Sequence, residues 1–311
     1  MMTGDALTIA EAMIVKIAPL YGLMLLGFIY GRLRPTAAEP VSFLQIYFMV
    51  PLVTVTGIAN LEFQVNYLLL PIITYLGCCV VALAAYWVGR KIWNDSTPNI
   101  FSYASGCANV GYYGIPVALI VFPPETFGIF MMSMIGFTLF EGSLGYYLVA
   151  RGHFTVKDSL KKLVRLPILY AFTAGVVLSA FGMHVPDALK DITRDVRGCY
   201  VTLGALMIGF GLSRLQHLKI EGKLIAYTFS FKFIGWPLLA LALIALDRNL
   251  THLFAPEIHK ILFLLSVMPL PANAIAFALQ LNIQPDKAST LVFISTLFAL
   301  IYVPLAMAFW G

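Results

Sequence analysis

Two apolar stretches of this 311-residue chain are interrupted in the same way, the first by Asn109-Val-Gly-Tyr-Tyr-Gly-Ile-Pro116 and the second by Pro269-Leu-Pro-Ala-Asn273. Each stretch is long enough to cross a bilayer as a helix. Proline cannot donate a backbone hydrogen bond, whereas asparagine can satisfy the backbone groups that a break sets free. Paired, interrupted apolar segments in matching positions of two halves are typical of a transporter's binding site. The sequence therefore predicts two broken helices around a polar centre.

The composition excludes an ordinary soluble domain. Hydrophobic residues make up 60% of the chain and charged residues 11%, and the mean hydropathy is +0.87. A typical soluble domain carries about a quarter charged residues. Most of this chain must therefore contact lipid or other membrane helices, so the lipid bilayer is a predicted partner. The net charge of +5 is explained by membrane topology, and no nucleic-acid partner is expected.

Ten apolar segments are long enough to be predicted as transmembrane helices, since about 20 residues cross the hydrocarbon core. Residues 1–12 contain Asp5 and Glu11 but no basic residue, which disfavours a cleaved signal peptide. The first segment is therefore interpreted as a permanent helix. The predicted spans are 13–31, 40–59, 66–89, 99–121, 127–149, 166–183, 199–213, 224–246, 259–281 and 288–310.

The positive charges predict the orientation in the membrane. Alternate loops divide unequally, with 13 of the 20 Lys and Arg residues in one set and five in the other. Cytoplasmic loops are enriched in Lys and Arg. Both termini are therefore expected outside and the basic 151–165 segment inside. The predicted location is the cell membrane, as a multi-pass protein of a bacterial inner membrane.

The predicted fold is an all-α membrane protein whose ten helices form a 5+5 inverted repeat. Residues 1–150 form the first repeat, 151–165 a cytoplasmic linker, and 166–311 the second repeat. Because five is odd, the second copy enters from the opposite side. The breaks then fall in the fourth and ninth helices, and an inverted repeat places both breaks near the bilayer midplane.

The predicted site uses the backbone and side chains of the two breaks. A broken helix exposes N–H groups at the start of one half, where an anion is favoured. Asn109 and Asn273 each offer two amide donors and an acceptor oxygen, although they could instead only cap the breaks. The residues predicted to contact substrate are Asn109, Tyr112, Gly114, Pro116, Pro271, Asn273, Lys232 and Gln45.

Two charged residues within the predicted spans have alternative interpretations. Lys232 could lie near an organic anion or stand in for a coupling cation, or it could extend to the cytoplasmic surface. Glu141 could carry a proton or bind a cation, or it could pair with Arg151. Both residues are retained as candidate coupling sites for H⁺ or Na⁺. Gln45 could extend the polar centre or form an ordinary hydrogen bond between helices.

The chain resembles the auxin efflux carrier family, and in particular its short microbial members. The resemblance rests on the Asn-x-Gly-x-x-Gly-x-Pro run at 109–116, the Pro-Ala-Asn run at 271–273, Pro51, the Ser295-Thr296 pair and Pro304. It implies crossed fourth and ninth helices beside the substrate, a homodimer, and transport of organic anions such as auxin, malonate or malate. The chain departs from the family at Arg165-Leu-Pro167, where many members have an Asn-Pro pair.

Other classes of function are weighed against an organic-anion transporter. An enzyme is not expected, because the predicted spans hold no nucleophile-base pair, metal cluster or paired carboxylates. No cofactor, metal or ATP site is expected, and the four cysteines are interpreted as packing residues. The five histidines fall in loops or near span ends, which favours surface roles. The remaining alternatives are a sodium-coupled carrier of the bile-acid symporter type and a membrane sensor that binds a ligand without moving it.

Overall fold

A computed structural model describes residues 4–36, 38–150, 164–213 and 219–310, and the described residues form helices joined by short loops, with no strand. Four pieces of helix come before the first break: α1 (Gly4–Leu33), α2 (Ala38–Ala59), α3 (Leu69–Ile92) and α4 (Thr97–Gly106). After the break come α5 (Ile115–Val121) and α6, which begins as Pro124–Phe140 and continues through a π-helical turn at Glu141–Gly145 to Tyr146–Val149.

The second part of the described chain contains six helices. They are α7 (Pro167–Ala180), α8 (Asp187–Ser213), α9 (Gly222–Thr251), α10 (Pro256–Ser266), α11 (Asn273–Leu281) and α12 (Pro285–Trp310). The second break separates α10 from α11. The predicted linker lies mostly outside the described residues, and the division into two repeats stays a prediction.

Eight helical spans among the described residues are long and apolar enough to cross a membrane, against ten predicted. The predicted span at 166–183 forms only a 14-residue helix, α7. The predicted span at 259–281 forms two shorter helices, α10 and α11, because prolines interrupt it. The chain is an all-helical, multi-pass membrane protein, and the ten-helix inverted repeat is not established by these lengths.

Prolines explain three of the π-helical turns. The turns at Gln45–Met49, Val110–Gly114 and Ser230–Gly235 each end two residues before a proline, at Pro51, Pro116 and Pro237 respectively. A proline ring displaces the carbonyl four residues earlier and supplies no N–H to it. The preceding turn widens to π geometry as a result. Two of these turns adjoin the functional centre described below.

Small residues bring two pairs of helices into close contact. A Cβ atom placed on Gly209 of α8 would lie 2.1 Å from the carbonyl oxygen of Met24 in α1. A Cβ on Gly136 of α6 would lie 2.3 Å from the carbonyl oxygen of Pro71 in α3. Such backbone approach is typical of helix packing in membranes. Both contacts therefore depend on glycine.

Candidate functional site

The first break lies between α4 and α5. Helix α4 ends at Gly106, residues 107–109 are non-helical, and the chain turns again from Val110. The last carbonyls of a helix lack intrahelical partners. Here the indole N–H of Trp236 donates to the Gly106 carbonyl at 3.2 Å. The side-chain oxygen of Asn109 accepts from the N–H of Tyr113 at 3.3 Å, so Asn109 caps the new helical turn.

The second break lies between α10 and α11 and touches the first. Residues 267–272 are non-helical, and α11 begins at Asn273. The backbone N–H of Asn109 donates to the Pro269 carbonyl at 2.9 Å, which joins the two breaks directly. The hydroxyl of Ser295 in α12 accepts from the N–H of Leu270 at 3.3 Å. Each interruption is therefore supported by groups from other helices, as a break at membrane depth requires.

A cavity of about 390 Å³ lies against both breaks. Residues 108–112 and 271–273 line one part of its wall. The remaining wall comes from α2, α6, α8, α11 and the start of α7. Two helical N-termini thus meet one cavity, at Gly111 and Tyr112 on one side and at Asn273 on the other. Helix N-termini carry unsatisfied N–H groups and a partial positive charge.

Among the described residues of the lining, Glu141 is the one acidic side chain. Glu141 of α6 lines the cavity, whereas no Lys or Arg is among the described residues of the lining. The side-chain N–H of Asn273 donates to Glu141 Oε1 at 2.9 Å. The hydroxyl of Tyr103 also donates to Oε1. Glu141 therefore joins α4, α6 and the start of α11 through one carboxylate oxygen.

Asn109 belongs to the cavity wall and carries a buried side-chain donor without a partner among the described residues. Its side chain is only 4% exposed, and its Nδ2 atom has no hydrogen-bond partner within the described residues. An amide donor that is buried without a partner costs free energy, roughly 1–3 kcal/mol. Because the Nδ2 atom is buried, a ligand oxygen would remove that cost once the side chain shifts towards the cavity.

The structure brings together five of the nine residues singled out from the sequence. Asn109, Tyr112, Glu141, Pro271 and Asn273 line the cavity. Gly114, Pro116, Gln45 and Lys232 are not part of the lining. Their contributions to substrate binding therefore stay predictions without a contact to the cavity.

The residues away from the lining pack close behind it. The side chain of Gln45 is fully buried, and its Nε2 atom donates to the carbonyl of Tyr200 in α8 at 3.3 Å. A Cβ atom on Gly114 would lie 3.2 Å from the ring of Phe130, so Gly114 allows α5 to pack on α6. Gln45 and Gly114 thus position the walls of the cavity.

Lys232 does not extend to an aqueous surface, as one interpretation of the sequence expected. Its side chain is 0% exposed, and its Nζ atom has no hydrogen-bond partner in the described part of the chain. It lies 5.3 Å from the centre of the Trp236 ring, one helical turn further along α9. Lys232 and Trp236 therefore form one cluster, and Trp236 in turn contacts the end of α4.

Sequence reasoning missed two residues that shape the site and misplaced one histidine elsewhere. Tyr103 and Trp236 read as ordinary membrane aromatics, and only their partners show a role. The expectation of surface histidines is wrong for His259, which is 3% exposed and lies 2.8 Å from the carboxylate of Asp247. The alternative pairing of Glu141 with Arg151 stays a prediction, because residue 151 lies outside the described residues. The position of Trp236 directly before Pro237 was the one sequence feature that could have indicated its role.

Together, the fold and the cavity define a multi-pass helical membrane protein with an internal cavity. No protein-family model matches the chain. It is 25% identical over 302 residues to an uncharacterized transporter of Methanocaldococcus jannaschii, covering 93% of this chain and 94% of that protein. It is 26% identical over 293 residues to an uncharacterized transporter of Methanothermobacter thermautotrophicus, covering 91% and 93%. These likenesses and the helical fold support a transporter in general, in keeping with a protein that is not an enzyme.

Proposed function

We propose that this protein is a secondary transporter of a small organic anion, either an auxin-like monocarboxylate or a dicarboxylate such as malonate or malate. The substrate binds in the cavity between the two breaks and crosses the membrane by alternating access, with an elevator-like movement. The observation that carries the proposal is the meeting of two helical N-termini in one cavity beside the unpartnered Asn109 amide. The resemblance to the auxin efflux carrier family supports the same substrate class.

The chemistry of the wall fits a small carboxylate. Each helical N-terminus is equivalent to about half a positive unit charge, and its free N–H groups can bind an anion. Asn109 Nδ2 adds a neutral donor at the same place. The cavity of about 390 Å³ lies at the small end of ligand sites, which suits a metabolite-sized acid.

A pair of loop contacts supports the proposed inverted repeat. Asp95 follows α3, and its carboxylate accepts from the N–H of Thr97 at 2.9 Å, at the start of the first broken helix. Asp247 lies at the end of α9, and its carboxylate accepts from the N–H of Leu253 at 2.8 Å, just before α10. A carboxylate thus accepts from a backbone N–H before each broken helix, two residues on at Asp95 and six residues on at Asp247, which is compatible with two related halves.

The described conformation is proposed to open towards the cytoplasm. The lining reaches Tyr146 near the end of α6, residues 166–168 at the start of α7, and Gln280 near the end of α11. Tyr146 and residues 166–168 flank the predicted cytoplasmic linker. We place the protein in the cell membrane as a homodimer with both termini outside, as the charge pattern and the resemblance imply.

The test is a binding screen on purified protein in detergent, read as a shift in thermal stability. A ligand that binds the native state raises apparent stability by mass action. Malonate, malate and indole-3-acetate are each added with and without sodium. A carboxylate should stabilise the wild type and the control Asn249→Ala, whose exposed side chain lies far along α9, but not Asn109→Ala.

The outcomes of the screen separate the alternatives. A stabilising effect that requires sodium would favour a carrier of the bile-acid symporter type. Binding by reconstituted protein without any transport in vesicles would favour a sensor. An equal shift in wild type and Asn109→Ala would rule out the proposed site.

A second candidate function is transport of an organic cation. It is favoured by one observation, that the formally charged side chain of the described lining is Glu141 and not a Lys or Arg. Tetramethylammonium and malonate provide a matched comparison. Glu141→Gln should abolish binding of the cation if Glu141 is its counter-ion, whereas malonate binding should survive the same substitution.

A further inference from the structure

We propose that Glu141 carries the proton that accompanies the anion, so that the cavity accepts an organic anion when the Glu141 carboxyl is protonated. This inference rests on the proposed function and deepens it. It assigns a coupling ion, H⁺, and one residue that holds it. The inference follows from the position of the Glu141 carboxylate in a cavity wall whose other groups suit an anion.

The first step concerns the charges around the cavity. Two helical N-termini contribute about half a positive unit charge each, or about one in total. An ionised Glu141 contributes one negative charge, and the described lining holds no Lys or Arg to offset it. The ionised site is therefore close to neutral and has little attraction for an anion. Adding one proton to Glu141 makes the site positive.

The second step concerns hydrogen bonding. An ionised carboxylate only accepts hydrogen bonds, and so does an anionic ligand. Glu141 Oε1 already accepts from Asn273 Nδ2 at 2.9 Å and from the Tyr103 hydroxyl. A protonated Glu141 can keep both bonds on Oε1 and donate from Oε2. The proton therefore converts a repelling oxygen into a donor for the ligand carboxylate.

The neighbouring groups do not supply an alternative cation at the wall. The titratable side chains that interact with Glu141 are Tyr103 and Cys107 at the end of α4, Cys78 of α3 and Tyr112 beside the first break. Lys232 of α9 interacts with the same two cysteines, but it does not line the cavity. The tyrosines and cysteines carry no positive charge in any protonation state.

The consequence is one proton moved with each anion. The proton adds to a Glu141 oxygen as the anion enters and leaves from that oxygen when the anion is released on the other side. No bond within the substrate changes. A monocarboxylate then moves as a neutral pair, and a dicarboxylate moves with one net negative charge. A pH gradient would drive transport in either case.

The experiment measures the affinity of purified protein for indole-3-acetate and malonate between pH 7 and pH 9, where both ligands are ionised. Affinity in the wild type should fall by up to about tenfold for each unit of rising pH, because one proton is linked to binding. Glu141→Gln mimics the protonated carboxyl, so it should bind with an affinity that is independent of pH. Glu141→Asp keeps a titratable group and should keep the slope.

The possible failures are distinguishable. A wild-type affinity that does not change with pH would overturn the assignment of H⁺ and leave the anion site standing. A slope that persists in Glu141→Gln would overturn the assignment of Glu141. If neither anion binds the wild type at any pH, the proposed function fails and this inference fails with it. If Glu141→Gln does not fold, two other results decide the question. One is the dependence of wild-type affinity on pH, and the other is the shift, in Glu141→Asp, of the pH at which affinity begins to fall.

Discussion

At the scale of single residues, the two break asparagines have different tasks. Asn109 uses its oxygen to cap the turn at Tyr113 and leaves its Nδ2 donor without a partner in the described chain. Asn273 instead commits its Nδ2 donor to Glu141. The sequence could not distinguish the two, because both are asparagines beside a proline-containing break. Asn109 is therefore a better residue than Asn273 for testing contact with a ligand.

Asn109→Asp separates capping from ligand binding. The new side chain keeps an oxygen that can accept from Tyr113, but it replaces the Nδ2 donor with an oxygen that repels an anion. We expect the thermal midpoint without ligand to stay within a few degrees of the wild type, while affinity for malonate falls at least about tenfold. Asn249→Ala serves as the control. Unchanged malonate affinity in Asn109→Asp would contradict the proposed contact.

Lys232→Met tests the buried amine. Burying a polar group without a hydrogen bond is unfavourable, and Lys232 Nζ has no hydrogen-bond partner within the described residues. Methionine has a similar length and no polar group at its end, so the free energy of unfolding should rise by roughly 1–3 kcal/mol. Lys223→Met, at the exposed start of the same helix, provides the comparison. A destabilised Lys232→Met protein would show that the contact of the ammonium with the Trp236 ring outweighs the cost of burying it.

At the scale of helices, proline marks the irregular turns and other helices stabilise them. Pro237 cannot donate to the carbonyl of Phe233, and the hydroxyl of Tyr302 in α12 donates to that oxygen at 2.6 Å. The Gly106 carbonyl at the first break is likewise satisfied by Trp236 from α9. In both cases the proline or break is visible in the sequence, but the donor comes from a distant helix.

Tyr302→Phe should therefore destabilise the protein without altering its hydrophobic packing. The substitution leaves the Phe233 carbonyl without its donor at membrane depth, at a cost of roughly 1–2 kcal/mol. Tyr170→Phe is a matched control, because its hydroxyl donates to a carbonyl at an exposed position and water can replace it. Chemical unfolding in detergent measures both. Equal stabilities of the two variants would show that the Phe233 carbonyl has another donor.

The helices also show how far a sequence alone can lead. The approximate places of both breaks, near 109–116 and 269–273, were predictable because each combines proline with an asparagine that can satisfy freed backbone groups. The link between the breaks, from the Asn109 N–H to the Pro269 carbonyl, joins residues 160 positions apart, and no local pattern encodes it. The absence of Lys232 from the cavity lining could not be predicted either, because no local pattern encodes it. Which side of a helix faces the cavity depends on packing, and glycine contacts such as Gly209 with Met24 fix it.

At the scale of the whole molecule, one ionic cluster ties together three loops at the predicted cytoplasmic end. Lys287, at the start of α12, is 6% exposed and lies 2.8 Å from the carboxylate of Glu221. Its ammonium also donates to the hydroxyl of Thr97 at 2.6 Å and lies 3.5 Å from Asp95. Glu221 additionally accepts from the indole N–H of Trp93 at 2.8 Å. The starts of α4, α9 and α12 are therefore joined by ion pairs and hydrogen bonds whose strength depends on pH.

The pH dependence of this cluster follows from Glu221. The hydrogen bond from Lys287 lowers the pKa of the Glu221 carboxyl below its ordinary value of 4.5, and the bond from Trp93 acts in the same direction. A lowered pKa in the folded state contributes stability above the ordinary value, and that stability is lost as the pH falls through the folded pKa. Glu221→Gln should therefore lower the thermal midpoint at pH 7, and its difference from the wild type should shrink below pH 4.5. Glu62→Gln, an equal change of charge at an exposed position, controls for the general effect of acid. A difference for Glu221→Gln that stayed constant down to pH 3 would show that the ionic cluster does not stabilise the fold through the charge of Glu221.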